Sequence, residues 1–167
     1  MTTPKSLVIE PLGPGHERAV FSCGEEILDR YLKLRAGQDI RRRIARVFVC
    51  TGSDARTILG FYTLSALSVD IGALPHALAR HLPKQPVPAA LVGRLAVSRD
   101  AQGQGIGRLL LADAVKRAMS AGATIGIHAL VVDAKTDRAK RFYERFGFHA
   151  LPDRPERLFL PLGLPAQ

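Results

Sequence analysis

Residues 95–111 constrain this chain more than any other stretch. They read Leu95-Ala96-Val97-Ser98-Arg99-Asp100-Ala101-Gln102-Gly103-Gln104-Gly105-Ile106-Gly107-Arg108-Leu109-Leu110-Leu111. An apolar strand runs into a glycine-dense turn, and the turn runs into an amphipathic helix. Glycines at alternate positions let backbone N–H groups point into one concavity without Cβ clashes. The helix behind them adds its unpaired N-terminal donors and the positive end of its dipole. Such a turn suits a pyrophosphate. Two familiar phosphate loops do not fit. A P-loop ends in Gly-Lys-Ser/Thr, whereas Gly107 is followed by Arg108. In a Gly-x-Gly-x-x-Gly reading, Arg108 or Leu110 stands where the last glycine belongs. The bland alternative is a tight strand-to-helix turn with no ligand.

The chain has 167 residues, the size of one domain, and its 47% hydrophobic content is enough for a sizeable core. The N-terminus, Met1-Thr2-Thr3-Pro4-Lys5, does not resemble a signal peptide, and no apolar run approaches a membrane span. The expected location is therefore the cytoplasm. Cys23 and Cys50 have no metal or redox spacing and read as thiols in a reducing compartment. No metal is expected. The formal net charge of +9 favours a polyanionic partner and disfavours polyamines or basic peptide tails as substrates.

Along the chain, residues 6–10 read as a strand. Ser22 and Glu25 fit a capping box ahead of a helix carrying Ile27, Leu28, Tyr31 and Leu32 and running to Arg43. Residues 47–50 and 57–69 form an antiparallel hairpin. Residues 72–90 hold Pro75, Pro83, Pro86 and Pro88, so they accommodate at most a short helix. A strand over 90–97 feeds the glycine turn. The next helix places Leu111, Ala114, Val115, Ala118 and Met119 on one face and stops at Gly122. A strand over 124–132, a helix over 137–146 and closing strands at Phe148 and 158–160 complete the chain. The order predicts an α/β (α+β) fold with a mixed, mostly antiparallel sheet and helices on both faces.

Gln102-x-x-Gly105-x-Gly107 after a strand resembles the acyl-CoA-binding turn of the GNAT acetyltransferases. Phe142-Tyr143-Glu144-Arg145-Phe146-Gly147-Phe148 resembles that family's Phe-Tyr-x-x-x-Gly-Phe segment. Phe21-Ser22-Cys23-Gly24, Leu28-Asp29-Arg30-Tyr31-Leu32, Gly60-Phe61-Tyr62-Thr63-Leu64-Ser65, Leu74-Pro75, Pro86-Val87-Pro88, Gly93-Arg94-Leu95-Ala96-Val97 and Val131-Val132-Asp133-Ala134 are similar to the GNAT toxins of toxin–antitoxin pairs. The resemblance covers nearly the whole chain. It implies one GNAT domain over residues 1–167, with a V-shaped splay between the fourth and fifth strands. It further implies acetyl-CoA as cosubstrate, acetylation of the α-amine of aminoacyl-tRNA, and a block of translation. The implied partners are a ribbon-helix-helix antitoxin and, through that complex, operator DNA under autorepression. A homodimer is left open.

Each site residue has a structural reading beside the functional one. Helical periodicity makes Tyr143 a core aromatic, whereas the resemblance makes it the donor to the departing thiolate of CoA. Phe142 and Phe146 keep the core reading. Leu95, Ala96 and Val97 would contribute backbone only, pairing with pantetheine amides like an added strand. Gln102, Gly103, Gln104, Gly105, Ile106, Gly107 and Arg108 form the expected pyrophosphate turn. Asp133 reads equally as a cofactor contact or as a cap or turn residue. His76 and His81 lie in the proline-rich segment, and His16, His128 and His149 have no carboxylate partner in sequence, so no general base stands out. An α-amine has a pKa of about 7.7–8, well below lysine at about 10.4, and needs no strong base. Arg41, Arg42, Arg43, Arg46 and Arg94 read as tRNA contacts, against the alternative of a solvated charged face. Lys135, Arg138, Lys140, Arg141 and Arg145 form a further basic group. Two competing functions stay open at this point. One is an acetyltransferase for a protein N-terminus or small amine; the other is a non-catalytic CoA-binding regulatory module.

Overall fold

The computed structural model describes residues 6–70, 74–82 and 85–163. Among these residues seven strands, β1 (Val8–Pro11), β2 (Arg46–Thr51), β3 (Ile58–Val69), β4 (Val87–Val97), β5 (Ala129–Asp133), β6 (His149–Leu151) and β7 (Arg154–Pro161), are hydrogen-bonded in the order β1-β2-β3-β4-β5-β7-β6. The residues fall into two compact units: Met1–Leu64 with Arg94–Ala114, and Ser65–Gly93 with Val115–Gln167.

In the first unit, β1 (Val8–Pro11), β2 (Arg46–Thr51) and the first half of β3 (Ile58–Val69) form an antiparallel ladder, with Phe48 opposite Tyr62 and Val49 opposite Phe61. Five of the six β2 residues are buried, and Val47, Val49, Phe61, Phe21 and Leu32 share one core. Gly60 is required by close approach: a Cβ there would lie 2.9 Å from both the Ala96 carbonyl oxygen and Leu110 Cδ1.

The expected first helix is present but differs at both ends and in the middle. It starts as α1 (Glu26–Arg30), passes through a π-helical turn (Tyr31–Arg35) and continues as α2 (Ala36–Arg41). Its N-cap is Glu25, with no side-chain cap bond, so the expected Ser22–Glu25 capping box does not form. Gly24 turns the chain with φ +99°, and the Ser22 carbonyl instead accepts from the Arg99 N–H at 2.8 Å. The helix ends before Arg43, which itself adopts φ +57°. Arg43 N–H donates to the Ile40 carbonyl at 3.1 Å and Ile44 N–H to that of Asp39 at 2.9 Å, the paired bonds of a Schellman motif.

After a 3-10 turn (Arg99–Ala101), α4 (Ile106–Ala121) opens in the first unit and closes in the second. Its buried residues include Leu110, Leu111, Ala114 and Ala118, whereas Met119 is 52% exposed and does not join the expected face.

The strand β4 (Val87–Val97), which belongs to the second unit up to Gly93, runs there parallel to β5 (Ala129–Asp133), with Ala89 to Val92 opposite Ala129 to Val132. The ladder ends there while β4 continues to Val97. β4 starts earlier than predicted because the Pro88 carbonyl already accepts from the His128 N–H at 2.8 Å. β5 starts later than predicted: Thr124 and Ile125 N–H groups both turn back to the Ala121 carbonyl at 3.0 Å, and Ile125 is 63% exposed. Helix α5 (Asp137–Arg145) is capped by Thr136, whose hydroxyl accepts from the Ala139 N–H at 3.1 Å. The hairpin of β6 (His149–Leu151) and β7 (Arg154–Pro161) closes the sheet edge, β7 pairing antiparallel with β5. Val69, Val87, Ala89, Val131, Leu151 and Phe159 form this unit's core. A four-residue helix, α3 (His76–Ala79), fits the limit set by the prolines; Gly72 and Pro83 lie outside the described residues.

Candidate active site

The glycine turn has the conformation its sequence requires. Gly103 and Gly105 adopt φ +79° and +82°, a region that costs an L-residue about 1–2 kcal/mol. A Cβ at either position would meet nothing within 4 Å, so conformation demands these glycines, and the space beside them is open. Leu109 N–H donates to the Gly105 carbonyl at 3.2 Å, the first helical bond of α4. Ile106 and Gly107 therefore stand in the opening turn, where N–H groups have no intrahelical acceptor. Gly107 is helical, so its conformation does not require glycine. The turn and helix end fit a pyrophosphate, and strand residues Leu95, Ala96 and Val97 lead directly into them.

Gln102 has a different part from the one its motif suggests. Its amide donates to the Cys23 carbonyl at 3.0 Å and to the Val97 carbonyl at 3.1 Å. Gln102 thus ties the end of β4 to the loop before α1. Arg99 reinforces that tie through its N–H to Ser22, and a Cβ on Gly24 would come within 3.4 Å of the Arg99 guanidinium. Gln104 makes only a long contact, 3.5 Å, to the Asp100 carbonyl. Neither Arg99 nor Cys23 stood out in sequence as a support of this turn, because their partners are distant along the chain.

In the second unit, Tyr143 is buried within α5, 5% exposed, against the rings of Phe142 and Phe148 at 5.3 and 5.8 Å. Phe142 and Phe146 are only half-buried. Burial pushes the Tyr143 phenol well above the ordinary tyrosine range, and the Asp133 charge adds to this. The hydroxyl is consequently protonated at neutral pH and can donate. Asp133 ends β5 and pairs with Arg157 through two hydrogen bonds of 2.7 and 3.0 Å. It is not a helix cap, a part taken by Thr136. Its carboxylate is committed to Arg157, which leaves its main chain for any cofactor contact. Arg157 could be found only from the β5–β7 register, which places it opposite Asp133.

The expected tRNA contacts are all in the first unit. Arg41, Arg42, Arg43 and Arg46 are exposed around the end of α2. Arg94 lies on β4, directly before Leu95, with its guanidinium carbon 3.6 Å from the centre of the Tyr31 ring. The histidines resolve differently from the sequence reading. His16 has a carboxylate after all: its Nε2 lies 2.8 Å from Glu10 Oε1, while its Nδ1 accepts from the Gly13 N–H at 2.9 Å. That latch is structural, since both partners sit beside β1. Cys50 is buried, and Cys23 donates its thiol to the Glu25 carbonyl, with burial pushing its pKa up to about 11. Neither is an activated thiolate. Among the described residues no cluster of three or more His, Cys, Asp or Glu could hold a metal ion.

A sheet of this order with a left-handed glycine turn feeding α4 defines an acyl-CoA-dependent transferase. The chain belongs to the GNAT acetyltransferase family: the Acetyltransferase (GNAT) domain matches residues 43–150. It is 42% identical over 140 residues to the tRNA-acetylating toxin of Mycobacterium tuberculosis, covering 84% of this chain and 82% of that protein. It is 34% identical over 165 residues to the probable toxin TacT of Sinorhizobium fredii, covering 93% and 91%. Among solved structures, AtaT complexed with acetyl-methionyl-tRNAfMet matches with TM-score 0.87 and 34% identity over 93% of this chain and 95% of that one. A tyrosine-to-phenylalanine mutant of AtaT bound to the C-terminus of the antitoxin AtaR and acetyl-CoA matches with TM-score 0.80 and 32% identity over 94% of each. The AtaT–AtaR complex bound to DNA matches with TM-score 0.75 and 32% identity over 93% and 94%.

Proposed function

We propose that this protein is a toxin that transfers the acetyl group of acetyl-CoA to the α-amine of aminoacyl-tRNA, blocking translation. The observation that carries the acetyl-CoA half is the open, left-handed turn at Gly103 and Gly105 ahead of α4. The tRNA half is supported by 42% identity to a tRNA-acetylating toxin and by the exposed arginines at the end of α2. The family match runs through residues of both compact units, which supports reading residues 1–167 as one catalytic domain.

In this reading the main chain of Leu95, Ala96, Val97 and Asp133 meets the pantetheine arm. The N–H groups from Gly103 to Arg108 hold the pyrophosphate, with Gln102 fixing their turn and Gln104 at its rim. When bound, acetyl-CoA supplies an activated thioester carbonyl. The substrate amine attacks that carbon, a C–N bond forms and the C–S bond breaks; the Tyr143 hydroxyl gives the departing thiolate a strong hydrogen bond or a proton, and regains from solvent any proton it gives. The amine loses its own proton to water, since an α-amine with a pKa of about 7.7–8 is already about half neutral near pH 8. Arg41, Arg42, Arg43, Arg46 and Arg94 contact the tRNA backbone. A ribbon-helix-helix antitoxin neutralises the protein and carries it to operator DNA, as AtaR accompanies AtaT on DNA. The setting is the cytoplasm, where charged tRNA is found; no described helix is long and apolar enough to cross a membrane.

The test is acetylation of charged tRNA by the purified protein with labelled acetyl-CoA, alongside Tyr143→Phe. Label in the aminoacyl moiety is expected, with the turnover rate lowered about 10²–10⁴-fold in the variant. Label transfer to protein N-termini or free amines but not to charged tRNA would overturn the reading. A variant of undiminished rate would remove Tyr143 from the chemistry.

A further inference from the structure

Arg157 takes no part in the chemistry described above, yet it holds the residue whose charge reaches Tyr143. All three residues lie in the second unit. β5 and β7 run antiparallel with Asp133 opposite Arg157, so the two side chains leave the same face of the sheet. The guanidinium donates from Nε to Asp133 Oδ1 at 2.7 Å and from Nη2 to Oδ2 at 3.0 Å, occupying both carboxylate oxygens. The side chains of Arg157 and Asp133 are only 16% and 26% exposed, so salt and water screen the pair weakly. The next carboxylate along β7, Glu156, has a cation of its own in Arg154 at 3.4 Å.

The pair sits near a donor that is itself fixed. Tyr143 is wedged against Phe142 and Phe148. Burial first, and the Asp133 charge second, make its phenol harder to ionise. Donation to a departing thiolate moves negative charge toward that oxygen. A bare carboxylate nearby opposes the movement, and a carboxylate locked to a guanidinium opposes it less. The backbone around Asp133 does not depend on the guanidinium for its course. The Ala134 N–H donates to the Glu156 carbonyl at 2.7 Å, and Thr136 caps α5. What Arg157 adds is charge.

We propose that Arg157 is a positioning residue for the acetyl transfer: by cancelling the Asp133 charge, it keeps the Tyr143 hydroxyl able to give its hydrogen bond or proton to the thiolate of CoA. This rests on the donor role proposed for Tyr143 above. It gives a function to a residue that no sequence motif marks.

The experiment is a double-mutant cycle on the purified protein: parent, Arg157→Gln, Tyr143→Phe and the two together. Rates are measured with labelled acetyl-CoA, below the melting temperature of every variant, on charged tRNA and on an aminoacyl amide. The amide keeps the cycle readable whatever the tRNA result. Arg157→Gln should lower kcat about tenfold, as for one unit of donor acidity, and leave KM for acetyl-CoA within about twofold. On the Tyr143→Phe background the same change should cost less than about twofold, because the donor it serves is gone. Arg157→Lys keeps the cation and should stay within about threefold of the parent. Adding Asp133→Asn to Arg157→Gln removes the stranded charge and should recover most of the lost rate. Equal losses on both backgrounds would make the pair merely structural and overturn the assignment. So would a loss confined to KM, which would make it a cofactor contact. A Tyr143→Phe protein as fast as the parent would overturn the donor role and this assignment together.

Discussion

Arg43 is held where a glycine would be more comfortable, which makes Arg43→Gly an informative substitution. The residue sits at φ +57° just beyond α2, and the Arg43 and Ile44 N–H groups close the helix with bonds of 3.1 and 2.9 Å. Neither bond uses the side chain. A left-handed conformation costs an L-residue about 1–2 kcal/mol. Glycine removes that strain but loses more backbone freedom on folding, about 0.5–1 kcal/mol. The balance is a gain of roughly 0.5–1 kcal/mol, readable as a rise in the urea midpoint at constant slope. The same change removes one exposed cation from the Arg41–Arg46 group. The slope of log affinity for tRNA against log salt should then flatten by a little under one unit, the loss of about one phosphate contact. Arg43→Gln separates the two effects, since it removes the charge while keeping the backbone cost of an L-residue at φ +57°. A destabilised Arg43→Gly protein would mean that the arginine side chain stabilises the helix end by more than its backbone costs. A stabilised protein with an unchanged salt slope would take Arg43 out of the tRNA interface.

Other consequences are as direct. Gly105→Ala should destabilise by about 1–2 kcal/mol through its φ of +82° and weaken acetyl-CoA in calorimetric titration, whereas Gly107→Ala, in helical backbone, should fold at least as stably as the parent. Replacing Arg41, Arg42 and Arg43 together with Ala should reduce the tRNA salt slope by up to about three units in a binding titration. Arg157→Gln leaves the Asp133 carboxylate without its two charge-assisted bonds and should lower stability by about 1–3 kcal/mol in chemical denaturation. Tyr31 and Tyr143 both have pKa values raised in the folded state, so the unfolded chain ionises first. Stability should be level up to about pH 10 and fall as pH rises above it, toward the folded Tyr31 value of about 12; Tyr31→Phe should flatten part of that slope in alkaline denaturation.

How much of this was legible in the sequence depends on how far apart the interacting groups lie. The change from strand to glycine turn to helix over 95–111 was readable because each part is local: alternation, then conformational freedom, then a helical stripe. The β2–β3 hairpin and α5 with its stop at Gly147 were readable for the same reason. Local logic also misled. Ser22 and Glu25 have the spacing of a capping box, but Ser22 is drawn to Arg99 and Gly24 turns the chain, so the helix starts later. Residues 124–128 have the composition of a strand, yet the chain there first folds back on the end of α4. The π-helical turn at Tyr31 leaves no mark in periodicity over so short a helix.

Gln102 shows how a recognisable motif can be right about a place and incomplete about a part. The motif marks the residue as belonging to a phosphate turn, and the turn is there. The side chain, however, spends both amide hydrogens on the carbonyls of Cys23 and Val97, which no pyrophosphate would share. Its effect on a cofactor must then pass through the backbone, by holding the end of β4 and the loop before α1 at a fixed distance. A rigid support of this kind matters most where N–H groups must converge without reorganising. The Arg99 N–H to Ser22 adds a second strut to the same loop. That same loop leads into the helix bearing Tyr31, so the glycine turn and the approach to that helix are braced by one set of hydrogen bonds within the first unit. Gln102→Ala should therefore weaken acetyl-CoA in calorimetric titration although the side chain never meets the cofactor.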